Sequence, residues 1–214
     1  MANRGYGQYC GFARALEFVG ERWAMLIVRD LLVGPKRFGE LQRGLANIPS
    51  NILTARLKEL EAAGIVRRSA RPRPEGGVAY ELTPDGRELE ESVIALSRWG
   101  AKRLGIPHPD EVVTNNSMAM ALRSTFRPEH AVKGERIAFE LRMGAIVVNA
   151  LVRDGTVVTG TGSLDTPDLV IEGGHDIRAL MAGEVTPKEA VRSGIVRVHG
   201  KRALLERFAA LFRI

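Results

Sequence analysis

The chain has 214 residues, of which 45% are hydrophobic and 26% charged, and this composition excludes a fibrous or a disordered protein. Its single cysteine excludes an internal disulfide framework. No apolar run is long enough for a signal peptide core or a membrane span, so we expect a cytoplasmic protein.

The positive charge is distributed unevenly. The chain contains 31 Lys and Arg and 25 Asp and Glu, a net charge of +6. Residues 1–107 carry 17 basic and 12 acidic side chains, whereas residues 108–214 carry 14 and 13. We therefore expect a polyanionic partner such as DNA to bind the first half.

The first half is predicted to be mostly helical. Apolar residues at helical spacing predict helices over residues 13–19, 21–33 and 38–45. Ser50 suits the N-cap of a further helix over residues 50–63. Two alternating segments, residues 65–70 and 78–83, flank a tip rich in Pro and Gly, and a helix over residues 85–104 follows. This order of elements predicts a winged helix-turn-helix.

The second half is predicted to be a separate domain. Prolines and turn residues mark residues 105–117 as a linker between a domain of residues 1–104 and one of residues 118–214. After a helix over residues 118–126, strands over 136–142, 145–153, 156–161 and 168–172 predict an antiparallel sheet. Helices over 175–182, 187–193 and 201–212, with a strand over 195–199, should cover one face. The fold class is therefore α+β.

The predicted helix over residues 50–63 has two different faces. Leu53, Leu57 and Leu60 share the apolar face, and the outward face is small and polar, with Asn51, Thr54, Ala55 and Lys58. Such a surface suits the major groove, where Asn pairs with adenine and Lys with guanine. A solvated helix face without a binding role is the competing interpretation.

Basic residues surround this helix in the sequence. Arg67 and Arg68 either contact phosphates or only line the solvent side of a strand, and Arg56 either pairs with a carboxylate such as Glu40 or reaches the duplex backbone. The predicted DNA-binding residues are Lys36, Arg37, Ser50, Asn51, Thr54, Ala55, Arg56, Lys58, Arg71 and Arg73.

Residues 10–99 resemble the HxlR-type winged helix-turn-helix transcription regulators. The matching motifs are residues 20–23, 26–32, 34–41, 53–57 and 82–86. The resemblance implies a homodimer, bound to an imperfectly palindromic operator, in which the first and last helices of the domain pair between subunits. An apolar stripe of Leu89, Val93, Leu96 and Trp99 agrees with this, although it could also pack on its own domain.

Cys10 lies at a position where some members of that family sense oxidants. This chain departs from the family pattern at Gly11, where proline is frequent, and it has no second cysteine to resolve an oxidised thiol. We therefore favour a buried, inert thiol over a redox role for Cys10.

Residues 118–214 resemble the sterol carrier protein type-2 fold, through residues 167–171 and 180–200. The resemblance implies an apolar tunnel for a hydrophobic small molecule. Our candidates for lining it are Met181, Leu204, Phe208 and Phe212, which would otherwise be ordinary core residues.

No catalytic motif, cofactor loop or metal-ligand spacing stands out, since the four histidines are scattered and no nucleophile elbow surrounds a serine. We expect a homodimeric, non-enzymatic DNA-binding regulator without a cofactor or metal, controlled by a hydrophobic effector. The alternative is a lipid-binding or carrier protein whose winged helix serves only dimerisation or protein contacts.

Overall fold

The computed structural model describes residues 5–71, 76–105, 108 and 110–214. The chain divides into two compact units, Met1–Val93 and Ile94–Ile214, and the division falls inside the helix Glu90–Ala101. The linker over residues 105–117 stays a prediction.

The first unit consists of helices and a two-stranded wing. In chain order its elements are α1 (Gly11–Val19), α2 (Ala24–Leu32), α3 (Phe38–Gly44), α4 (Ser50–Ala62), β1 (Val66–Ala70), β2 (Val78–Leu82), α5 (Pro84–Arg87) and the beginning of α6 (Glu90–Ala101). β1 and β2 are antiparallel. Lys36 and Tyr80 exchange two backbone hydrogen bonds of 2.9 and 2.7 Å, which tie the α2–α3 connection to the wing. The predicted winged helix-turn-helix is confirmed.

Leucine and isoleucine side chains at helical spacing fill the core of this unit. The fully buried residues are Ile27 and Leu31 of α2, Leu41 of α3, and Leu53, Leu57 and Leu60 of α4. Burying each of these side chains contributes roughly 1.5–3 kcal/mol to folding. The three leucines of α4 therefore fix which face of that helix points away from the core.

Two differences from the predicted helices of the first unit have a clear structural cause. Trp23 has a left-handed φ of 81°, so α2 begins at Ala24 rather than at residue 21. The helix predicted over residues 85–104 is divided into α5 and α6. Gly86 approaches the first unit's hairpin so closely that an added Cβ would lie 2.1 Å from the carbonyl oxygen of Ile65. Helical periodicity could not reveal this tertiary approach, which requires glycine.

The second unit is built around a five-stranded sheet with the strand order β5-β4-β3-β6-β7. After the remainder of α6, its elements are α7 (Asn115–Thr125), a 3₁₀ turn (Pro128–His130), β3 (Arg136–Met143), β4 (Ile146–Arg153), β5 (Thr156–Thr161), β6 (Leu169–Gly173), α8 (Ile177–Ala182), α9 (Pro187–Arg192), β7 (Val196–Gly200) and α10 (Leu204–Leu211).

The sheet is mixed, so the predicted antiparallel sheet is wrong in one strand pair. β3 and β6 run parallel, with Phe139 opposite Leu169, whereas the other neighbours are antiparallel. Residues 162–168 carry the chain from β5, at one edge, to β6 on the other side of β3. Alternating hydrophobicity identifies strands but not their neighbours, so it could not predict this crossover.

One face of the sheet forms the core of the second unit. Phe139 of β3 is fully buried, and its ring lies 5.5 Å from that of Phe208 and 5.8 Å from that of Phe212. Phe126 extends the cluster, with its ring 5.7 Å from that of Phe212. These centroid distances and tilted or edge-on rings are typical of favourable aromatic packing.

The crossover is anchored on the opposite face by a buried carboxylate. Glu140 follows Phe139 on β3, so its side chain points to the other face of the sheet. Its Oε1 lies 2.7 Å from both Nε and Nη2 of Arg142, and its Oε2 accepts a 2.7 Å hydrogen bond from the backbone N–H of Leu164. Asn149 Nδ2 donates to the carbonyl oxygen of Gly162 over 2.9 Å. The contacts with Arg142 and with the backbone N–H of Leu164 offset the cost of burying the Glu140 charge.

Replacing Glu140 by alanine should destabilise the protein by about 3 kcal/mol, because Arg142 loses its buried partner and the Leu164 N–H loses its acceptor. Urea denaturation followed by circular dichroism measures this change. Glu206→Ala, at an exposed position of α10, is the matched control and should stay within about 0.5 kcal/mol of the wild type. Equal stability of the Glu140 and Glu206 variants would contradict the role of Glu140 in anchoring the crossover.

Acid should weaken a second carboxylate contact. Arg207 donates 2.8 Å hydrogen bonds to both oxygens of Glu135, which holds the pKa of Glu135 below its ordinary value. A carboxylate with a lowered folded-state pKa stabilises the fold above its unfolded pKa of about 4.3, and this contribution is lost as the pH falls through the folded-state pKa. Melting curves from pH 3 to 7 should therefore show a smaller acid-induced loss of stability in Arg207→Ala than in the wild type or in Arg202→Ala. Identical pH profiles of the wild type and Arg207→Ala would exclude a contribution of the Glu135–Arg207 contact to stability.

Candidate nucleic-acid interface

The candidate reading surface lies on α4, the second helix of the helix-turn-helix. α3 ends at Gly44, and Asn47 in the turn has a φ of 67°, a left-handed conformation that asparagine tolerates better than most residues. Pro49, in an extended conformation, then precedes the first residue of α4. The turn thus lets α4 start in a new direction while its leucine face joins the core.

The outward face of α4 is the one that helical winding predicts. Ser50, Asn51, Thr54 and Lys58 are exposed, and Ala55 is half-buried. The hydroxyl of Thr54 donates to the carbonyl oxygen of Ser50 over 2.8 Å, so this hydrogen-bonding group is already used within the helix. Asn51 and Lys58 supply the remaining polar groups of this row, which can pair with base edges.

Arg56 forms ion pairs at the side of α4. Its guanidinium pairs with Glu59, one turn along the helix, and Nη1 lies 3.5 Å from Glu21 Oε2 at the α1–α2 turn. The suggested pairing with Glu40 is wrong, because Glu40 Oε2 accepts a 2.6 Å hydrogen bond from the backbone N–H of Arg37. Contact between Arg56 and the duplex backbone stays a prediction.

The predicted phosphate-binding residues of the wing also brace it. Arg37 Nη2 donates to the carbonyl oxygen of Gly76 over 2.8 Å, and Arg71 Nη2 donates to that of Pro35 over 2.9 Å. Lys36 lies between these contacts in sequence, and burial lowers the pKa of its ammonium group. Arg73 lies outside the described residues. These hydrogen bonds hold the tip of the wing against the α2–α3 connection, and phosphate contacts by these residues stay a prediction.

Other arginines of the first unit are exposed. Arg67 Nε lies 2.9 Å from Glu81 Oε1, and Arg68 Nη2 lies 3.2 Å from Glu61 Oε2. Arg43, at the end of α3, is also exposed and was absent from the predicted set. The exposed side of α3, read at helical spacing, is the signal that could have identified it.

Cys10 is exposed at the start of α1, so the expectation of a buried thiol is wrong. It occupies the N-cap position in an extended conformation. The backbone N–H groups of Ala13 and then Phe12 lower the pKa of the thiol. A thiolate is favoured by such donors at a helix start, and it is the reactive form of cysteine.

The predicted ligand-binding residues of the second unit lie within or beside its core. Met181, Phe208 and Phe212 are buried, and Leu204 is half-buried. Phe208 and Phe212 pack on each other with ring centroids 5.0 Å apart, in contact with Phe139. The rings of Phe139, Phe208 and Phe212 contact one another directly. A tunnel beside these side chains stays a prediction.

Among the described residues, no three His, Cys, Asp or Glu side chains converge as metal ligands. Within the same part of the chain, every helix is too short or too polar to cross a bilayer.

The geometry defines a winged helix-turn-helix protein with an additional α+β unit. The family of HxlR-like helix-turn-helix proteins matches residues 18–106. The chain is similar to the uncharacterized HTH-type transcriptional regulator YvaP of Bacillus subtilis, with 36% identity over 91 residues that span 42% of this chain and 84% of YvaP. This chain therefore belongs to the HxlR-like helix-turn-helix family.

Two further proteins are similar to part of this chain. The uncharacterized HTH-type transcriptional regulator Rv3095 of Mycobacterium tuberculosis is 38% identical over 110 residues, which span 51% of this chain and 66% of that protein. Among solved structures, the redox regulator HypR in its oxidized form has 34% identity, with a TM-score of 0.42, over 45% of this chain and 100% of HypR. Residues 107–214 lie outside the family match.

The exposed thiol gives a direct test of the helix-start geometry. Iodoacetamide should alkylate Cys10 with a pH midpoint below that of free cysteine, because the N–H groups of Ala13 and Phe12 stabilise the thiolate. Mass spectrometry of the intact protein across pH 6–10 measures the rate. Cys10→Ser removes the chain's single cysteine and is the blank. A midpoint at or above that of free cysteine would contradict the assignment.

Proposed function

We propose that this protein is a sequence-specific DNA-binding transcriptional regulator that inserts α4 into the major groove. The observation that carries the proposal is the exposed row of Asn51, Thr54 and Lys58, held outward by the buried leucines of the same helix. Their spacing of three and four residues places them along one line of the helix surface. Similarity to HTH-type transcriptional regulators supports the same role.

The chemistry of this row suits base recognition. The amide of Asn51 can form two hydrogen bonds with adenine, and the ammonium of Lys58 can donate to the acceptors of guanine. The methyl groups of Thr54 and Ala55 can contact the methyl group of thymine. Ser50 is the first residue of α4, and we expect its hydroxyl and the N-terminus of the helix to contact phosphate.

Phosphate contacts should come from the wing and the α2–α3 connection. Lys36, Arg37, Arg71 and Arg73 are the proposed donors, with Arg56 at the side of α4. The hydrogen bonds of Arg37 and Arg71 keep their positive charges at the tip of the wing, where they would attract the duplex. Such contacts set the position of the protein on DNA rather than its sequence preference.

We propose that the regulator is a homodimer that binds an imperfect palindrome. On α1, Phe12 is 74% exposed, and on α6, Leu96 and Trp99 are 58% and 59% exposed. Large apolar side chains exposed on the first and last helices of the winged-helix region are what a subunit interface would cover. Two copies related by a twofold axis would present two α4 helices to two half-sites.

The second unit is the proposed effector domain. The resemblance to the sterol carrier protein type-2 fold suggests a hydrophobic effector near Met181, Leu204, Phe208 and Phe212, and such a ligand would have to separate packed rings. Organic extraction of the purified protein followed by mass spectrometry tests this part. A recurrent apolar compound in the extract supports it, and an extract without one counts against it.

The row on α4 should determine operator affinity. Asn51→Ala and Lys58→Ala should each weaken specific binding by about 1–3 kcal/mol, since each removes a base contact. Fluorescence anisotropy with an operator fragment found by genomic footprinting measures the change. Lys188→Ala, an exposed lysine of the second unit, is the charge-matched control and should have little effect.

A specific footprint is itself the decisive observation. A protein that protects no genomic fragment, at either low or moderate salt, would favour the alternative of a carrier whose winged helix makes only protein contacts. Equal operator affinity of the Lys58 and Lys188 variants would instead retain DNA binding but exclude this face of α4 as the reading surface.

The apolar positions on α6 should control assembly. Leu96→Glu and Trp99→Glu should shift the protein from dimer to monomer, because each would place a charge in the proposed interface. Sedimentation velocity measures the distribution. Val158→Glu, at an exposed apolar position of β5, is the control and should leave it unchanged. An unaltered dimer in both α6 variants would exclude the interface.

A further inference from the structure

The second unit has a cleft at the one place where the strand order reverses. From β3 the chain builds outward through β4 and β5, and it then returns to add β6 and β7 on the other side of β3. β3 and β6 are the parallel pair, so their carboxyl ends meet at the same edge of the sheet. In open α/β sheets, ligands bind outside the carboxyl ends of parallel strands at a switch point, and the β3–β6 pair reproduces this arrangement locally in a mostly antiparallel sheet.

A cleft of about 410 Å³ lies at this edge, within the size range of small-molecule sites. Its lining comes from the end of β3, the β3–β4 turn, the end of β6 and the α9–β7 turn. The lining residues are Arg142, Gly144, Glu172, Gly173, Gly174, Gly194, Ile195 and Arg197. An added Cβ at Gly174 or Gly194 would meet no atom within 4 Å, so the backbone there faces open space.

Charged side chains form a row across three strands at the cleft. Arg142 of β3 lies opposite Glu172 of β6, which lies opposite Arg197 of β7. Glu172 is held by Arg142 Nη1 at 3.5 Å and by His199 Nε2 at 3.3 Å, and the buried Glu140 orients Arg142. The guanidinium group of Arg197 forms no hydrogen bond or ion pair with any residue that the structure describes.

The chemistry of the lining selects an anion. An arginine guanidinium presents several N–H donors in a planar fork that matches a carboxylate or a phosphate. The carboxylate of Glu172 already has two cationic or donor neighbours, which reduces its repulsion of a bound anion. The glycines admit close approach of a ligand to the backbone.

We propose that this cleft binds a small molecule through a carboxylate or phosphate group, with Arg197 as the principal contact and Arg142 beside it. This site differs in place and chemistry from the apolar residues around Phe208. It does not depend on the proposed DNA binding, because the cleft belongs wholly to the second unit.

The test is a titration of the full-length, ¹⁵N-labelled protein with inorganic phosphate and, separately, with succinate. We expect a saturable shift of the Gly173, Gly174 and Gly194 amide signals with at least one of the two, and the responding anion distinguishes a phosphate from a carboxylate ligand. A weak ligand binds with a Kd of about 1 mM, so the absence of a saturable shift with either anion up to about 50 mM would overturn the proposal.

Two variants identify the contact. Arg197→Ala should raise the Kd at least about tenfold, which corresponds to about 1.4 kcal/mol, whereas Arg202→Ala, an exposed arginine outside the cleft, should leave it unchanged. An added Cβ at Gly174 meets no atom within 4 Å, and Gly174→Leu should obstruct the cleft and abolish the shift. Unchanged binding in the Arg197 and Gly174 variants, with melting temperatures like that of the wild type, would place the anion elsewhere and refute the site.

Discussion

The burial of one leucine face of α4 is the constraint on which the candidate interface depends. Leu53, Leu57 and Leu60 are essentially inaccessible to solvent. Because a helix turns once every 3.6 residues, burying these three side chains sends Asn51 and Lys58 to the opposite side. Rotating α4 to hide that row would expose the leucines, at a cost of roughly 1.5–3 kcal/mol for each. The hydrophobic core thereby holds the polar face in a fixed orientation.

Ion pairs and hydrogen bonds fix the arginine side chains of the first unit. Arg56, Arg67 and Arg68 each pair with at least one carboxylate, which offsets much of their field. Arg37 and Arg71 donate to the backbone carbonyl groups of Gly76 and Pro35, which fixes the position of both guanidinium groups. Positively charged groups are thereby held at the tip of the wing as well as along β1.

The helices and strands could be predicted from the sequence where the hydrophobic periodicity and the turn-forming residues indicate the same boundaries. α4, β1 and β2 follow the leucine spacing and the glycines that bound the wing, whereas the predicted N-cap at Ser50 is wrong, because Pro49 is the N-cap and Ser50 is the first residue of the helix. The break between α5 and α6, the carboxylate partner of Arg56 and the parallel β3–β6 pair depend on residues distant in sequence, and local patterns carry no information about them. The exposure of Cys10 was missed because a free cysteine is usually buried, whereas Cys10 lies at the exposed N-cap of α1.

In the second unit, the parallel strand pair and the aromatic cluster together decide where a ligand can enter without rearrangement. The rings of Phe126, Phe139, Phe208 and Phe212 already contact one another, so an apolar guest there must first replace contacts that stabilise the fold. The crossover that places β6 beside β3 opens a concave edge at their carboxyl ends, and Glu140 fixes that crossover. Binding at this edge requires no loss of core packing, because the cleft is present in the folded unit.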